Sequence, residues 1–434
     1  MEDSRGRVEG SRCILTGVPM RLAQWIGIGL IGIGVLWESQ LAPSLVGWGF
    51  ILVGFLALLV AERRWPARTP LDGPLLLLAV MGGVSLLVTP SLQVTLVQMM
   101  RLGAGLAGFY GLVNWARDRA RILQAAAVLA AGGVGLALLS PVVVDWSRNQ
   151  TMLIPDSFYE PFPLLLSDSV HPNIMASLMI LLFPLPLAWF VSLGSAGRKG
   201  IGRQLVLGAA FLLMAVALLL TKSRGGYIAA AAGGAMVMWL SVQRRRAFVL
   251  PLVLSLILFV AGAWFLFGMG SHTSELVEGA ADPSTWAFRQ RVWRAATWML
   301  ADFPFTGAGM GLFNDVAALL YAFLETRCLG THNLYLQVGV DLGIPGLIAY
   351  LAALMLTLWM AGAAATTFTR IGDGALRAVA VGALVGMAAL MLHGLVDITV
   401  WGTRAAFFPW LIGGLIAALF EVATKERESG MITG

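Results

Sequence analysis

The sequence predicts an all-α polytopic membrane protein of about twelve transmembrane helices, with a long periplasmic loop containing amphipathic helices. Three observations carry that expectation. Of 434 residues, 58% are apolar and only 12% charged, against about 25% charged in an ordinary soluble domain, so there is too little charge to coat a water-facing surface. Apolar runs recur along nearly the whole chain, at a mean hydropathy of +0.82, which excludes a disordered chain and a single-pass anchor. The basic residues gather in short clusters between those runs, as the positive-inside rule requires.

Runs of about 17 to 25 apolar residues place spans near 22–37, 43–61, 73–89, 94–115, 121–144, 172–195, 204–221, 225–242, 247–269, 344–365, 375–396 and 403–422. The first is short, so eleven spans stay open. Residues 1–21 are polar and charged and read as a cytoplasmic N-terminal arm with no need of a cleavable signal peptide. The chain, 1–434, reads as one transmembrane domain without internal repeats, which weighs against transporters built from inverted repeats. Two outer segments are long, 145–171 and 270–343, and loops of that size are uncommon unless functional. In the second, Asp282-Pro283-Ser284 reads as a helix start with a capping acid and an early proline. Beyond it, Trp286, Val292, Trp293, Ala296 and Met299 mix with Arg289, Arg291 and Arg294 as in a helix lying at the membrane surface. Pro304 ends that helix, and Gly307, Gly309 and Gly311 make a turn.

With the N-terminus inside, 20 of the 29 basic residues fall on the cytoplasmic side, and the outer loops near 38–42, 90–93 and 397–402 hold none. Both termini are therefore expected in the cytoplasm. Nine basic residues break the rule: Arg101 inside the fourth span, and Arg148, Lys222, Arg224, Arg289, Arg291, Arg294, Arg327 and Arg404 on the outer side. A net charge of +6 does not point to nucleic acid, because no segment interleaves cations with stacking aromatics.

The misplaced charges are where chemistry is sought. Thr221-Lys222-Ser223-Arg224-Gly225-Gly226-Tyr227 sets two cations and a hydroxyl on a tight glycine turn, which suits an oxyanion; snorkelling of both cations to lipid phosphates is the plainer reading. Arg291 and Arg294 share a helix face and Arg289 shares one with Trp293, with lipid headgroups as the ordinary partner. A guanidinium in hydrocarbon is costly, so Arg101 either lines a site or pairs with an acid. Of the histidines His171, His272, His332 and His393, all near the outer side, His332 in Gly330-Thr331-His332-Asn333-Leu334-Tyr335 lies where the long loop re-enters the membrane. An imidazole of pKa about 6.5 can take a hydroxyl proton there. His393 and Asp397, four apart, are expected to hydrogen-bond each other on one helix face, and Asp341, nine residues beyond His332, falls on the opposite face from it. No His-Glu-x-x-His, paired Cys-x-x-Cys, Walker loop or nucleophile elbow is present, and Cys13 and Cys328 lie on opposite sides.

These strings, from Leu220-Thr221-Lys222-Ser223-Arg224-Gly225-Gly226-Tyr227 through Arg289-Gln290-Arg291-Val292-Trp293 and Phe303-Pro304-Phe305-Thr306-Gly307-Ala308-Gly309 to His332-Asn333-Leu334-Tyr335-Leu336-Gln337 and Gly343-Ile344-Pro345-Gly346, resemble the O-antigen ligase and O-antigen polymerase family over roughly 170–400. Asn173 and the stretch from His393 to Asp397 also resemble family positions. The resemblance implies a bacterial inner-membrane glycosyltransferase of GT-C type, metal-independent and without a cofactor. It would move a glycan from undecaprenyl diphosphate to a hydroxyl at the periplasmic face, inverting the anomeric centre. The charge developing on the leaving diphosphate must be met by a metal or by cations. Arg224 and Arg289 are the expected cations, with Lys222, Arg291, Arg101 and Asn333 binding substrate and His332 taking the acceptor proton. Lipid A-core is the expected acceptor. A polymerase extending a growing glycan is the alternative, a protein glycosyltransferase a third, and a lipid-linked glycan transporter the alternative of another class. The expected partners are the lipid-linked donor, the acceptor and membrane lipid, with no nucleic acid.

Overall fold

A computed structural model describes residues 12–40, 44–62, 67–146, 156–162, 169–193, 201–241, 286–321 and 330–430. The expected ninth span, Asp282-Pro283-Ser284, Arg148, His272, Arg327 and Cys328 lie outside the described residues. The helices, in chain order, are α1 (Arg12–Gln40), α2 (Leu45–Glu62), α3 (Asp72–Val88), α4 (Leu92–Trp115), α5 (Arg119–Val143), α6 (Pro172–Leu182), α7 (Pro184–Leu193), α8 (Ile201–Leu220), α9 (Arg224–Ser241), α10 (Trp286–Asp302), α11 (Phe313–Tyr321), α12 (Leu334–Ile371), α13 (Gly374–His393) and α14 (Phe407–Glu428). Among the described residues there is no β-sheet; one isolated bridge, Val144 to Val170, clasps the ends of the first outer segment. Among the described residues eight helical stretches are long and apolar enough to cross a membrane, and Leu45–Ala61 and Asp72–Val88 are shorter apolar helices. The described residues are helical and consistent with a polytopic membrane protein.

The expected span 172–195 is broken, and so is the helix that leads into the expected span 344–365, each for a stated cause. The run 172–195 splits at Phe183 because Pro184 and Pro186 lack the amide hydrogen that would continue the ladder. The other break is in α12, where Gly343 adopts φ 72° and ψ −179°. A short helix, 334–342, thus precedes the long apolar rod that follows Pro345. The loop after α10 is laid against this break: Ile344 N donates to Pro304 O at 2.7 Å and Ala308 N to Val340 O at 2.7 Å. A side chain at 343 would both enter the left-handed region and set its Cβ 2.7 Å from the Phe305 carbonyl carbon. Gly343→Ala is therefore expected to destabilise the protein by at least about 1 to 3 kcal/mol, read as a lower thermal midpoint in detergent.

α13 is the axis of the bundle. It packs on α6, α7, α9, α12 and α14, and it is buried from Leu376 to Leu390. Small residues permit this: a Cβ at Gly386 would lie 2.2 Å from Leu181 O, so the backbones of α6 and α13 touch. At one end of the bundle basic side chains pair across helices. Arg119 meets Asp373, the N-cap of α13, at 2.6 Å, and Arg427 at the end of α14 donates to Thr367 Oγ1 at 2.7 Å. The starts of α6, α9 and α12 and the end of α13 lie at the other end.

The long loop carries a second hydrophobic core. Phe288, Val292, Ala295, Ala296 and Met299 of α10 are buried against Ala308, Leu312, Phe313, Val316 and Ala317, with Val340 of α12 beneath. The apolar stripe expected to lie on lipid is thus covered by protein. That stripe is legible as amphipathic, but periodicity does not say which apolar partner it meets.

Candidate functional site

After His393 the α13 helix loosens into turns, and residues 394–406 form an irregular segment before α14. Asp397 lies in it, 5% exposed. Its Oδ1 accepts Thr399 N at 3.1 Å and its Oδ2 accepts Asn173 Nδ2 at 2.7 Å. Asn173 stands in the first turn of α6, where His171 caps the helix by accepting Asn173 N on Nδ1 at 3.1 Å. Ser177, one turn on, donates to Asn173 O at 2.9 Å and meets His393 Nδ1 at 3.1 Å. With the single hydroxyl proton on that carbonyl, His393 is the donor from Nδ1. The expected His393 to Asp397 side-chain bond is therefore corrected: the helix ends between them, and each finds its partner on α6.

The Thr221–Tyr227 stretch is helical sooner than expected. Ser223 starts α9, accepting Gly226 N on Oγ at 3.3 Å, and Gly225 and Gly226 are ordinary helical residues. Their smallness serves close approach rather than a flexible anion cradle. A Cβ at Gly225 would lie 2.7 Å from Val396 Cγ2 and 3.1 Å from His393 Cδ2, so a side chain there would push on both residues of the segment that leads to Asp397. Lys222 is 3% exposed, and its Nζ sits 4.5 Å from the centre of the Tyr159 ring. Tyr159 is held by its hydroxyl on Leu220 O at 2.8 Å. The sequence reading did not anticipate it.

Arg289 lies on the flank of α10 between its buried stripe and solvent. Its Nε is buried without a hydrogen-bond partner among the described residues. Burial lowers its pKa, the Asp397 charge opposes that shift, and the nearby Arg224 charge adds to it. Arg224, Arg289 and Asp397 are thus close enough to feel one another. Arg291 and Arg294 are exposed on α10, whereas Arg289 is only partly so. Arg101 donates from Nη1 to the Gly402 carbonyl at 2.9 Å, on the same 394–406 segment as Asp397.

His332 precedes α12, its ring edge-on to Phe288 with centroids 6.2 Å apart. The loop is tied down around it. Thr331 N donates to Gln337 Oε1 at 2.9 Å. Asn333 caps α12 by accepting Tyr335 N and Leu336 N, both at 3.0 Å, and donates from Nδ2 to Leu395 O at 3.0 Å. Asn333, expected to bind substrate, thus holds the 330–336 and 394–406 segments together. Burial pushes the His332 pKa below its ordinary value; Asp397 opposes this and Arg289 reinforces it. Burial alone would raise Asp397, but His393, His332, Arg289 and His171 together hold it below the usual carboxylate range. Near neutral pH the arrangement is an ionised acid, a neutral imidazole and two guanidiniums.

Among the described residues three non-glycine residues have left-handed backbone, Lys222 (φ 53°), His332 (φ 50°) and Thr399 (φ 54°), and each lies on a different segment of this site. Such conformations, above all for a β-branched residue, concentrate where function over-determines geometry. Among the described residues no three His, Cys, Asp or Glu side chains are grouped so as to hold a metal ion.

Comparison with known proteins bears on the same stretch. No curated protein matches the chain. Residues 209–351, which include Arg224, Arg289 and His332, match the family model described as O-Antigen ligase, so over that stretch the chain is similar to that family.

Proposed function

We propose that the protein is a glycosyltransferase of the bacterial inner membrane that moves a glycan from undecaprenyl diphosphate to a lipid A-core hydroxyl at the periplasmic face. The observation that carries this reading is the grouping of Arg224, Arg289, Asp397 and His332, in which Arg289 lies in the field of both Asp397 and Arg224, and His332 in that of Asp397 and Arg289. Arg289 has a buried donor left over for a ligand. A diphosphate matches that surplus, because guanidinium forks hold paired oxygens and strengthen as charge develops on the leaving group.

The acceptor hydroxyl oxygen attacks the anomeric carbon from the face opposite the diphosphate. As the new C–O bond forms, the bond to the phosphate oxygen breaks and its electron pair leaves with the lipid diphosphate, against Arg224 and Arg289. The hydroxyl proton passes to His332. Asp397 stabilises the imidazolium through its charge and is itself held by Asn173 and the Thr399 amide. In this reading the arginines supply the charge neutralisation that a metal supplies elsewhere, and displacement in one step inverts the anomeric centre. Lys222 and Arg101 extend the positive field, and Arg291 and Arg294 present charge to lipid headgroups or to the glycan.

The pH dependence follows from the same arrangement. The base must be neutral to act, and burial lowers its pKa, so the neutral form persists further into acid. The acid limb of kcat/KM is expected to have its midpoint below about 6.5, the ordinary value for histidine. Asp397→Asn removes the one charge that raises His332 and should move that midpoint lower still, while slowing turnover. The founding test is transfer by the purified protein from an undecaprenyl-diphosphate-linked glycan to lipid A-core. A ladder of lengthened carrier-linked chains without lipid A product would overturn the ligase acceptor in favour of the polymerase.

A further inference from the structure

Asp341 is 2% exposed and takes no part in the chemistry above. Its carboxylate is nonetheless where the three segments that carry that chemistry meet. Oδ1 accepts Gly311 N at 3.1 Å, on the loop that follows α10 and its Arg289. Oδ1 also accepts Gln337 Nε2 at 3.0 Å, and Gln337 in turn accepts Thr331 N, the amide next to His332, at 2.9 Å. Oδ2 accepts Trp401 Nε1 at 2.8 Å, four residues beyond Asp397. Trp401 is seated by an edge-on contact with Tyr350, ring centroids 5.2 Å apart.

We infer that Asp341 is a positioning residue that sets the distances among Arg289, His332 and Asp397 by clamping their three segments to one buried carboxylate. All three of its partners are committed donors. A backbone amide and an indole can only donate, and Gln337 must turn its NH2 toward Asp341 because its oxygen is used by Thr331. The site therefore demands acceptors at both oxygens. An asparagine of the same shape would aim its own NH2 at Trp401 or, flipped, at Gly311 and Gln337, leaving donors facing each other in a dry interior. The nine-residue separation that places Asp341 away from His332 is what lets it act through Gln337 rather than on the imidazole.

The inference rests on the proposed transfer reaction, and the test separates the two. Wild type, Asp341→Asn and Trp401→Phe are compared for transfer from the undecaprenyl-diphosphate glycan, and the same samples for amide hydrogen exchange. Displacements of about 1 Å in a reacting constellation cost on the order of 100-fold, so Asp341→Asn is expected to lose about that much in kcat with the donor KM unchanged. Exchange should rise together in 307–312, 330–333 and 394–406. Trp401→Phe keeps the carboxylate and removes one donor, so it should show a smaller kcat loss, again at constant KM, with exchange rising mainly in 394–406. It carries the test if Asp341→Asn does not fold. A kcat within about twofold of wild type in the folded variants, a loss carried by KM, or exchange confined to the mutated segment overturns the inference. If wild type transfers nothing, the reaction reading fails and the exchange pattern alone decides whether Asp341 joins the segments.

Discussion

Replacing His332 with alanine is expected to lower glycan transfer by about three orders of magnitude, the range in which a positioned general base contributes, while the lipid-linked donor still binds. The argument rests on where His332 sits. The ring lies edge-on to Phe288 and within the field of Asp397 and Arg289, so it is supplied with a counter-ion for its protonated form. In the proposed reaction, donor affinity is assigned to the arginines and the lipid, which the substitution does not touch. Single-turnover transfer and donor retention measured on the same detergent-solubilised sample check both halves. Turnover within about tenfold of wild type would remove His332 from the role of base.

Substitution of Arg289 by glutamine is expected to cost about 10²- to 10³-fold in kcat, the magnitude for losing one preorganised donor to a developing oxyanion. Arg224→Gln should fall in the same range. The two are not expected to be additive, because both are proposed to hold the same diphosphate and Arg289 lies in the field of Arg224. Arg289→Lys keeps the charge and loses the planar fork, so an intermediate rate is expected from it. Arg291→Gln, on an exposed position of α10, should change kcat little, and that contrast, read in one transfer assay, distinguishes a diphosphate site from a general requirement for basic charge on this helix.

Much of the bundle is legible in the sequence, because a membrane span announces itself by local composition. The runs that became α4, α5, α8, α12, α13 and α14 needed no tertiary information. The breaks at Pro184 and Gly343 are local signals too, although only the structure shows that the Gly343 break receives the 303–308 loop. The site divides differently. Arg224, Arg289 and His332 stand out because their charge or their place is unusual for the side on which they fall. Asp397 does not, since its partner Asn173 is 224 positions away, and nearness in sequence favoured His393 instead. Gly225 was readable as a glycine but not as a contact, because what a Cβ would strike there, His393 and Val396, comes from the end of α13 and the turn after it. Asn333 and Asp341 are ordinary polar residues until the loops they join are seen together.

The left-handed trio of Lys222, His332 and Thr399 has an evolutionary consequence. A protein selected for durability alone would carry glycine at all three positions, relieving roughly 1 to 3 kcal/mol of strain at each. Keeping a lysine, an imidazole and a β-branched residue there costs stability, and the rest of the bundle must supply the margin. On the proposed reaction, drift toward glycine at 222 and 332 would mark relatives that have kept the scaffold and lost the side chains it was strained to present.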